Sequence, residues 1–207
     1  MENDELFRNY SEYLELRHLY TAATREIETR LQILDDEFGV YHSRNPIHHI
    51  ESRIKENDSI VNKLKKKNLP LNIENAKKYI NDIAGIRVVC NYIDDVYYVE
   101  KMLLRQSGLK LIKRQNYIEN PNYNGYRSLH LDLEVPIYLS DKTEYVMVEV
   151  QIRTIAMDFW GSLEHDLRYK ANKNIPDDIC KDMIESANEI AEIDKRMQEI
   201  FYRIQKL

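Results

Sequence analysis

The sequence predicts an α+β fold: a mixed or antiparallel sheet with helices on one face and a long amphipathic helix at each end. Three observations predict it. Apolar residues recur at helical spacing near both termini, two central stretches alternate apolar and polar residues, and a third is a short apolar run. At 207 residues, 43% hydrophobic and 31% charged, with only 5 Gly and 5 Pro, the composition is that of a globular protein without long flexible linkers.

Within residues 6–38, Tyr13, Leu16, Tyr20, Ala23, Ile27, Leu31, Leu34 and Phe38 follow in steps of three and four and line one helical stripe. Asn45-Pro46 then carries an N-cap and first-turn signal, so a helix with Ile47, Ile50 and Ile54 on its buried side is expected. Arg53 and Lys55 project from it; Ser59 and Lys63 share a face if the helix continues. Lys65, Lys66 and Lys67 read as a solvated helix end, where cations suit the dipole.

Residues 83–90 read as a buried strand, 96–104 as a helix and 109–117 as extended chain. In the first alternating stretch, Leu129, Leu131, Leu133 and Val135 oppose Ser128, His130, Asp132 and Glu134. In the second, Val146, Val148, Val150 and Ile152 oppose Met147, Glu149, Gln151 and Arg153. The polar face that results is either solvated or the floor of a cleft. Ile155, Phe159, Leu163 and Leu167 recur every four residues and announce a helix. The last helix follows Pro176, with Asp177 and Asp178 at its positive end. Its stripe is Ile179, Met183, Ala187, Ile190, Ile193, Met197, Phe201 and Ile204, and Asp194 in that region predicts incomplete burial. One domain over 1–207 is expected, with its core at about 45–171 and helical flanks at 1–44 and 172–207.

A net charge of −5 disfavours a protein that lives on bulk attraction to nucleic acid, while leaving room for a local phosphate site. No apolar stretch approaches the roughly 20 residues of a membrane span. The start Met1-Glu2-Asn3-Asp4-Glu5 lacks a signal-peptide layout, which predicts a cytoplasmic protein. Cys90 and Cys180 lie far apart and read as free thiols of a reducing compartment. Neither common glycine-rich phosphate loop is present, nor any zinc motif; the adjacent His48 and His49 chelate poorly on a helix.

What remains is a set of oxygen ligands and cations. Asp82 heads the first core strand and Glu149 sits midway along another, two carboxylates of the kind Mg²⁺ takes alongside phosphate oxygens. The plainer readings are a strand-opening Asp82 and a Glu149 paired with Arg153 or Gln151. Asp82 and Arg87 are five residues apart and cannot share a face of a regular strand. Either Asp82 precedes the strand or a bulge near Gly85 re-aims the chain. Arg53, Lys55 and Lys63 are candidate phosphate partners. Asn124-Gly125 marks a tight turn, after which Tyr126, Ser128 and His130 share parity. Tyr126 there reads either as a structural side chain or as a stacking plate for a purine.

Taken together, these pieces resemble the RelA/SpoT-type (p)ppGpp synthetases. The resemblance rests on Asp82-Ile-Ala-Gly85-Ile-Arg87, Gly125-Tyr126-Arg127-Ser128-Leu129-His130, Glu149-Val-Gln151-Ile-Arg153-Thr154, and the stretch from Met157 through Trp160, Glu164 and His165 to Tyr169-Lys170. Upstream, His49 through Arg53 and Lys55, with Ser59 and Lys63, also fits. It covers about residues 45–171 and leaves no room for the family's hydrolase and regulatory domains, as in a stand-alone small alarmone synthetase.

The resemblance implies a nucleotidyltransferase-like fold and pyrophosphate transfer from ATP to the 3′-hydroxyl of GDP or GTP. It makes Asp82 and Glu149 the catalytic magnesium ligands. Arg53 and Arg87 would sandwich the adenine, and Lys55, Ser59 and Lys63 would hold the ATP phosphates. Tyr126 would stack on guanine, with Asn124, His130 and Gln151 in the acceptor pocket. A lysine common in the family is Asn122 here, so the cation for the acceptor's phosphates is sought at Lys113 or Arg114. The resemblance and the amphipathic flanks imply a homotetramer. Two other readings compete: a nucleotidyltransferase of related fold, which usually shows a third carboxylate, and a catalytically silent nucleotide-binding module.

Overall fold

The computed structural model describes residues 10–171 and 175–207, with the side chains of 10–13 and 168–171 left aside. The expected helix start at residues 6–9, the acidic segment Met1–Glu5, and the side chains of Tyr13, Tyr169 and Lys170 therefore lie outside the described residues.

Among the described residues, five strands form one mixed sheet in the order β1-β2-β5-β4-β3. They are β1 (Ile47–Ile54), β2 (Ala84–Cys90), β3 (Lys110–Asn116), β4 (Leu129–Tyr138) and β5 (Thr143–Thr154). β2 and β5 run parallel at the centre, and the other pairs are antiparallel. Helix α1 (Tyr10–Tyr41) crosses one face and buries Leu16, Tyr20, Ala23, Ile27, Leu31, Leu34 and Phe38 against it. Each large apolar side chain so buried is worth about 1.5–3 kcal/mol. Val96, Val99 and Leu103 of α4 (Ile93–Leu104) complete this core with the inward sides of β4 and β5. The opposite face carries the polar partners of both alternating strands.

The expected helix over Ile47, Ile50 and Ile54 is instead the edge strand β1. A register irregularity between Ile47 and His49 supplies the reason. One extra residue there flips the parity, which brings Ile47 to the side of Ile50 and Ile54 and imitates helical spacing. Glu51 and Arg53 thereby point to the polar face, opposite Arg87 and Gly85. The helix proper starts later, as α2 (Asn57–Lys66), with Ile60, Val61 and Leu64 buried and Lys63, Lys65 and Lys66 in its last turn. Helix α3 (Ile73–Tyr79) is capped by Asn72, whose side chain accepts from Asn75 N at 2.8 Å.

After β5 the chain enters α5 (Ile155–Ala171) directly. Thr154 caps it by accepting from Met157 N at 3.2 Å, and donates its own hydroxyl proton to Asp194 at 2.6 Å. Asp194 belongs to α6 (Asp177–Ile204) and is only 5% exposed, so the expected interruption of that stripe is a buried anchor. The apolar residues around it are the exposed ones, Ile193 and Met197 on α6 with Ile155, Phe159, Leu163 and Leu167 on α5. Farther along, Gln198 accepts from Asp94 N at 3.0 Å and Phe201 stacks on Tyr92, tying α6 to the start of α4. Arg44 grips Asp95 at 2.5 and 2.6 Å and lies over the Phe201 ring. No helix among the described residues is long and apolar enough to cross a membrane. Cys90 is buried and Cys180 half-buried, both as free thiols.

Gly125 closes the turn before β4 by donating to Asn122 O at 2.8 Å, with φ at +88°. A Cβ there would stand 2.6 Å from the Ala187 side chain of α6. Gly125→Ala is therefore expected to cost about 2 kcal/mol in denaturant unfolding, from the left-handed backbone and the clash together. Ala187→Gly should relieve the second part and show as coupling in a double-mutant cycle.

Burial pushes the Asp194 carboxyl up, and the Thr154 hydrogen bond only partly offsets this. A raised folded-state value means stability that is full below the ordinary Asp range and lost as pH rises through the folded pKa. Asp194→Asn should raise Tm at neutral pH by about 2 °C, a gain that shrinks toward acid, in paired melts across pH.

Candidate active site

The polar face holds three cross-strand rows set by the register. Arg53, Gly85, Glu149 and Asp132 form one; Glu51, Arg87, Gln151 and His130 form the next; Val89 and Arg153 follow. A cleft opens over the first two, lined among others by Arg53, Asp82, Gly85, Arg87, Glu149 and Gln151. Arg53 lies along Gly85, where a Cβ would be 3.7 Å from its Cγ.

Asp82 precedes β2, in the turn after α3, which settles the parity question: β2 pairs with β5 without a register shift. Lys55, just past β1, reaches Asp82 at 3.0 Å, and Lys63 reaches it at 2.5 Å from α2. Burial pushes the Asp82 carboxyl up, but the Lys63 hydrogen bond and both lysine charges outweigh it and hold the group below its ordinary value. Ser59 lies one turn before Lys63, on the exposed side of α2.

Glu149 is held in a chain of contacts around the floor. Gln151 Nε2 donates to Glu149 at 2.6 Å, and Arg153 donates to Gln151 at 2.6 Å. His130 Nδ1 lies 3.5 Å from Glu149, while its Nε2 shares a 2.9 Å hydrogen bond with the Tyr126 hydroxyl. The Arg153 guanidinium stands 5.6 Å from the Tyr126 ring centre, closing the loop of contacts. Burial pushes Glu149 up; His130, then Gln151, bring it below its ordinary value, against the nearby charge of Asp82. Tyr126, pushed up by its burial, also meets Tyr117 edge-on. The pairing of Glu149 with Gln151 is thus present, and Arg153 acts one step removed.

Most expected site residues share this face. Asn124 is spent on its own turn, accepting from Tyr126 N at 3.2 Å and donating to Glu164 of α5 at 2.9 Å. Arg114 pairs with Leu131, on the helix side, and is gripped by Glu100 at 2.6 and 3.0 Å. Lys113 pairs with Asp132, on the side of the cleft. The sequence reading missed Glu51 and Asp158, which together hold Arg87 at 3.1 and 3.3 Å, and Asp158 also meets Arg153 at 3.4 Å. Glu51 sits two residues before Arg53, and correct strand parity would have found it. His48 and His49 lie on β1 rather than a helix, with their Nδ1 atoms 2.7 Å apart.

Among the described residues, no three His, Cys, Asp or Glu converge as a metal cage. The donor set is two carboxylates opening on one cleft with ammonium groups beside them, which fits a Mg²⁺ that takes its other ligands from phosphate and water.

Comparison with known proteins places the chain among relatives. The chain is 42% identical over 179 residues to the GTP pyrophosphokinase YwaC of Bacillus subtilis, covering 86% of this chain and 85% of that one. The fold is similar to the small alarmone synthetase 1 from Bacillus subtilis bound to its product pppGpp, with a TM-score of 0.84 and 31% identity over 90% of this chain and 94% of that one. It is also similar to the same synthetase bound to AMPCPP, with a TM-score of 0.79 and 27% identity over 95% and 100% of the two chains. Residues 52–174 match the region found in RelA / SpoT proteins, and with that match spanning more than half of its length the chain belongs to the RelA/SpoT family.

Proposed function

We propose that this chain is a GTP pyrophosphokinase. It transfers the β,γ-pyrophosphate of ATP to the ribose 3′-hydroxyl of GDP or GTP, yielding AMP and the alarmone ppGpp or pppGpp. The observation that carries this reading is the meeting of Asp82 and Glu149, from different elements, in one cleft, with Lys55 and Lys63 both paired to Asp82.

Arg53 and Arg87 flank the cleft and supply two guanidinium planes for the adenine. Lys55, Lys63 and Ser59 take the ATP phosphates. Both lysines rest on Asp82, so an arriving triphosphate would replace that carboxylate as their partner and leave its oxygens free to hold a cation. Bound Mg²⁺ would neutralise phosphate charge and orient the transferred group. Tyr126 offers its ring to guanine, with His130, Gln151 and the Asn124 turn around it. Glu149, ionised and oriented by Gln151 and His130, accepts the proton of the attacking hydroxyl. Catalysis here is chiefly positioning and charge neutralisation.

The protein acts in the cytoplasm as a homo-oligomer, a tetramer on this reading. The support is the apolar stripe of Ile155, Phe159, Leu163 and Leu167 beside Ile193 and Met197, exposed on the single chain. Phe159→Glu together with Leu163→Glu should shift the mass in light scattering to a smaller species; an unchanged mass counts against this surface.

Incubation with ATP, GDP or GTP, and Mg²⁺, followed by anion-exchange separation, tests the activity. AMP with a 3′-pyrophosphorylated guanine nucleotide is expected. Release of pyrophosphate would mark a nucleotidyltransferase, and no turnover a silent binding module. Asp82→Asn and Glu149→Gln should each lower kcat/KM by at least about 150-fold, equal to about 3 kcal/mol of transition-state stabilisation. Near-normal turnover in either variant sinks the metal assignment.

A further inference from the structure

One buried carboxylate beside the cleft has no role in the scheme so far. Asp132 pairs directly with Glu149 across β4 and β5 and is only 5% exposed. Its neighbours Leu131 and Leu133 belong to the core, so Asp132 projects from the polar face with His130. Like charges opposite each other weaken a sheet, and a buried carboxylate is costly unless partnered. Its partner is Asn81, whose Nδ2 donates to Asp132 Oδ2 at 2.8 Å.

Asn81 is the residue immediately before Asp82, in the turn between α3 and β2. Pairing of β2 with β5 begins at Ala84, and the first β2 residue on the polar face is Gly85, beside Glu149. Asp82 thus lies beyond the ladder, and the β2–β5 pairing does not fix its height above the sheet. Ile80 and Ile83 anchor the turn from the core side. The Asn81–Asp132 hydrogen bond anchors it from the cleft side, reaching across to the strand that flanks β5.

We propose that Asn81 and Asp132 form a positioning pair that sets the separation of the Asp82 and Glu149 carboxylates, and with it the divalent-cation affinity of the cleft. This rests on the reading of those two carboxylates as metal ligands. Neither member of the pair touches the cation; they act as the outer partners of metal ligands do, by holding orientation. What Asp132 supplies is a hydrogen-bond acceptor at a fixed point of the sheet, not its charge.

The test uses the full chain with a saturating non-hydrolysable ATP analogue, and Mn²⁺ as the probe, titrated by electron paramagnetic resonance. Asn81→Ala and Asp132→Ala should each weaken Mn²⁺ binding by about tenfold. In turnover with Mg²⁺ they should lower kcat by a similar factor while KM for the guanine nucleotide stays within about twofold. The double variant should be no worse than either single one. Asp132→Asn keeps an acceptor for Asn81 and should recover both quantities to within about threefold of the parent. Unchanged Mn²⁺ binding in both alanine variants overturns the proposal, as do losses that add in the double variant or an Asp132→Asn as poor as alanine. Should Asp132→Ala not fold, Asn81→Ala, in a partly exposed turn, carries the test alone. Glu149→Gln separates the two layers. Intact Mn²⁺ binding there removes the metal reading itself, whereas loss there with none in Asn81→Ala removes only the pair.

Discussion

The parallel pairing of β2 with β5 is the constraint from which the rest of the site follows. It puts Gly85 beside Glu149 and Arg87 beside Gln151, and the antiparallel neighbours then bring Arg53 and His130 to the same rows. A parallel pair cannot be closed by a hairpin, so the chain between the two strands has to leave and return. The excursion here contains α4, β3 and β4. Its return delivers Tyr126 and His130 to the flank of Glu149, while the segment before β2 delivers Asp82, Lys55 and Lys63 to the other side. One face of the sheet is closed by α1, which leaves the other for chemistry.

Placing so many ionisable groups on one half-buried surface is tolerable only because each is matched. Asp82 carries two lysines, Glu149 a glutamine and a histidine, and Arg87 two carboxylates. Desolvation alone would favour neutral carboxyls at both acidic positions, and in both the partners reverse its sign. On the proposed reading, the same pairing holds these groups until phosphates or a base compete for them. On that reading, a lysine that balances Asp82 is also the lysine for a phosphate, so stability and binding draw on one set of contacts.

Period-two alternation made β4 and β5 legible, because each strand sits with one face on the core and the other on the cleft. Strand parity also left Asp82 outside the strand as one of two options, and the unbroken register of β2 selects it. Residues 47–54 misled for a definable reason: a single irregularity near His48 converts strand parity into three-and-four spacing, and a proline with an N-cap signal preceded it. Asp194 misled in the other direction, since a charged residue in an apolar stripe reads as exposure until Thr154 is seen across from it. Asp158 was hidden because its importance lies in Arg87 and Arg153, contacts between separate elements that no local spacing encodes.

The contacts on the floor run as a loop, from Arg153 through Gln151, Glu149 and His130 to Tyr126 and back to the Arg153 guanidinium. In such a loop each polar atom is oriented by the next, so a side chain's role is not separable from its neighbour's. Gln151 orients Glu149, yet is itself oriented by Arg153, whose burial leaves it little freedom to turn elsewhere. Gly161 of α5 lies within 3.0 Å of that guanidinium in its prospective Cβ position, so helix packing limits it further. The orientation of the Glu149 carboxylate therefore originates in α5, the helix that Thr154 caps and α6 buttresses through Asp194. On this view the outer helices belong to the active site as much as the sheet does. They hold the far end of the chain of contacts whose near end is Glu149.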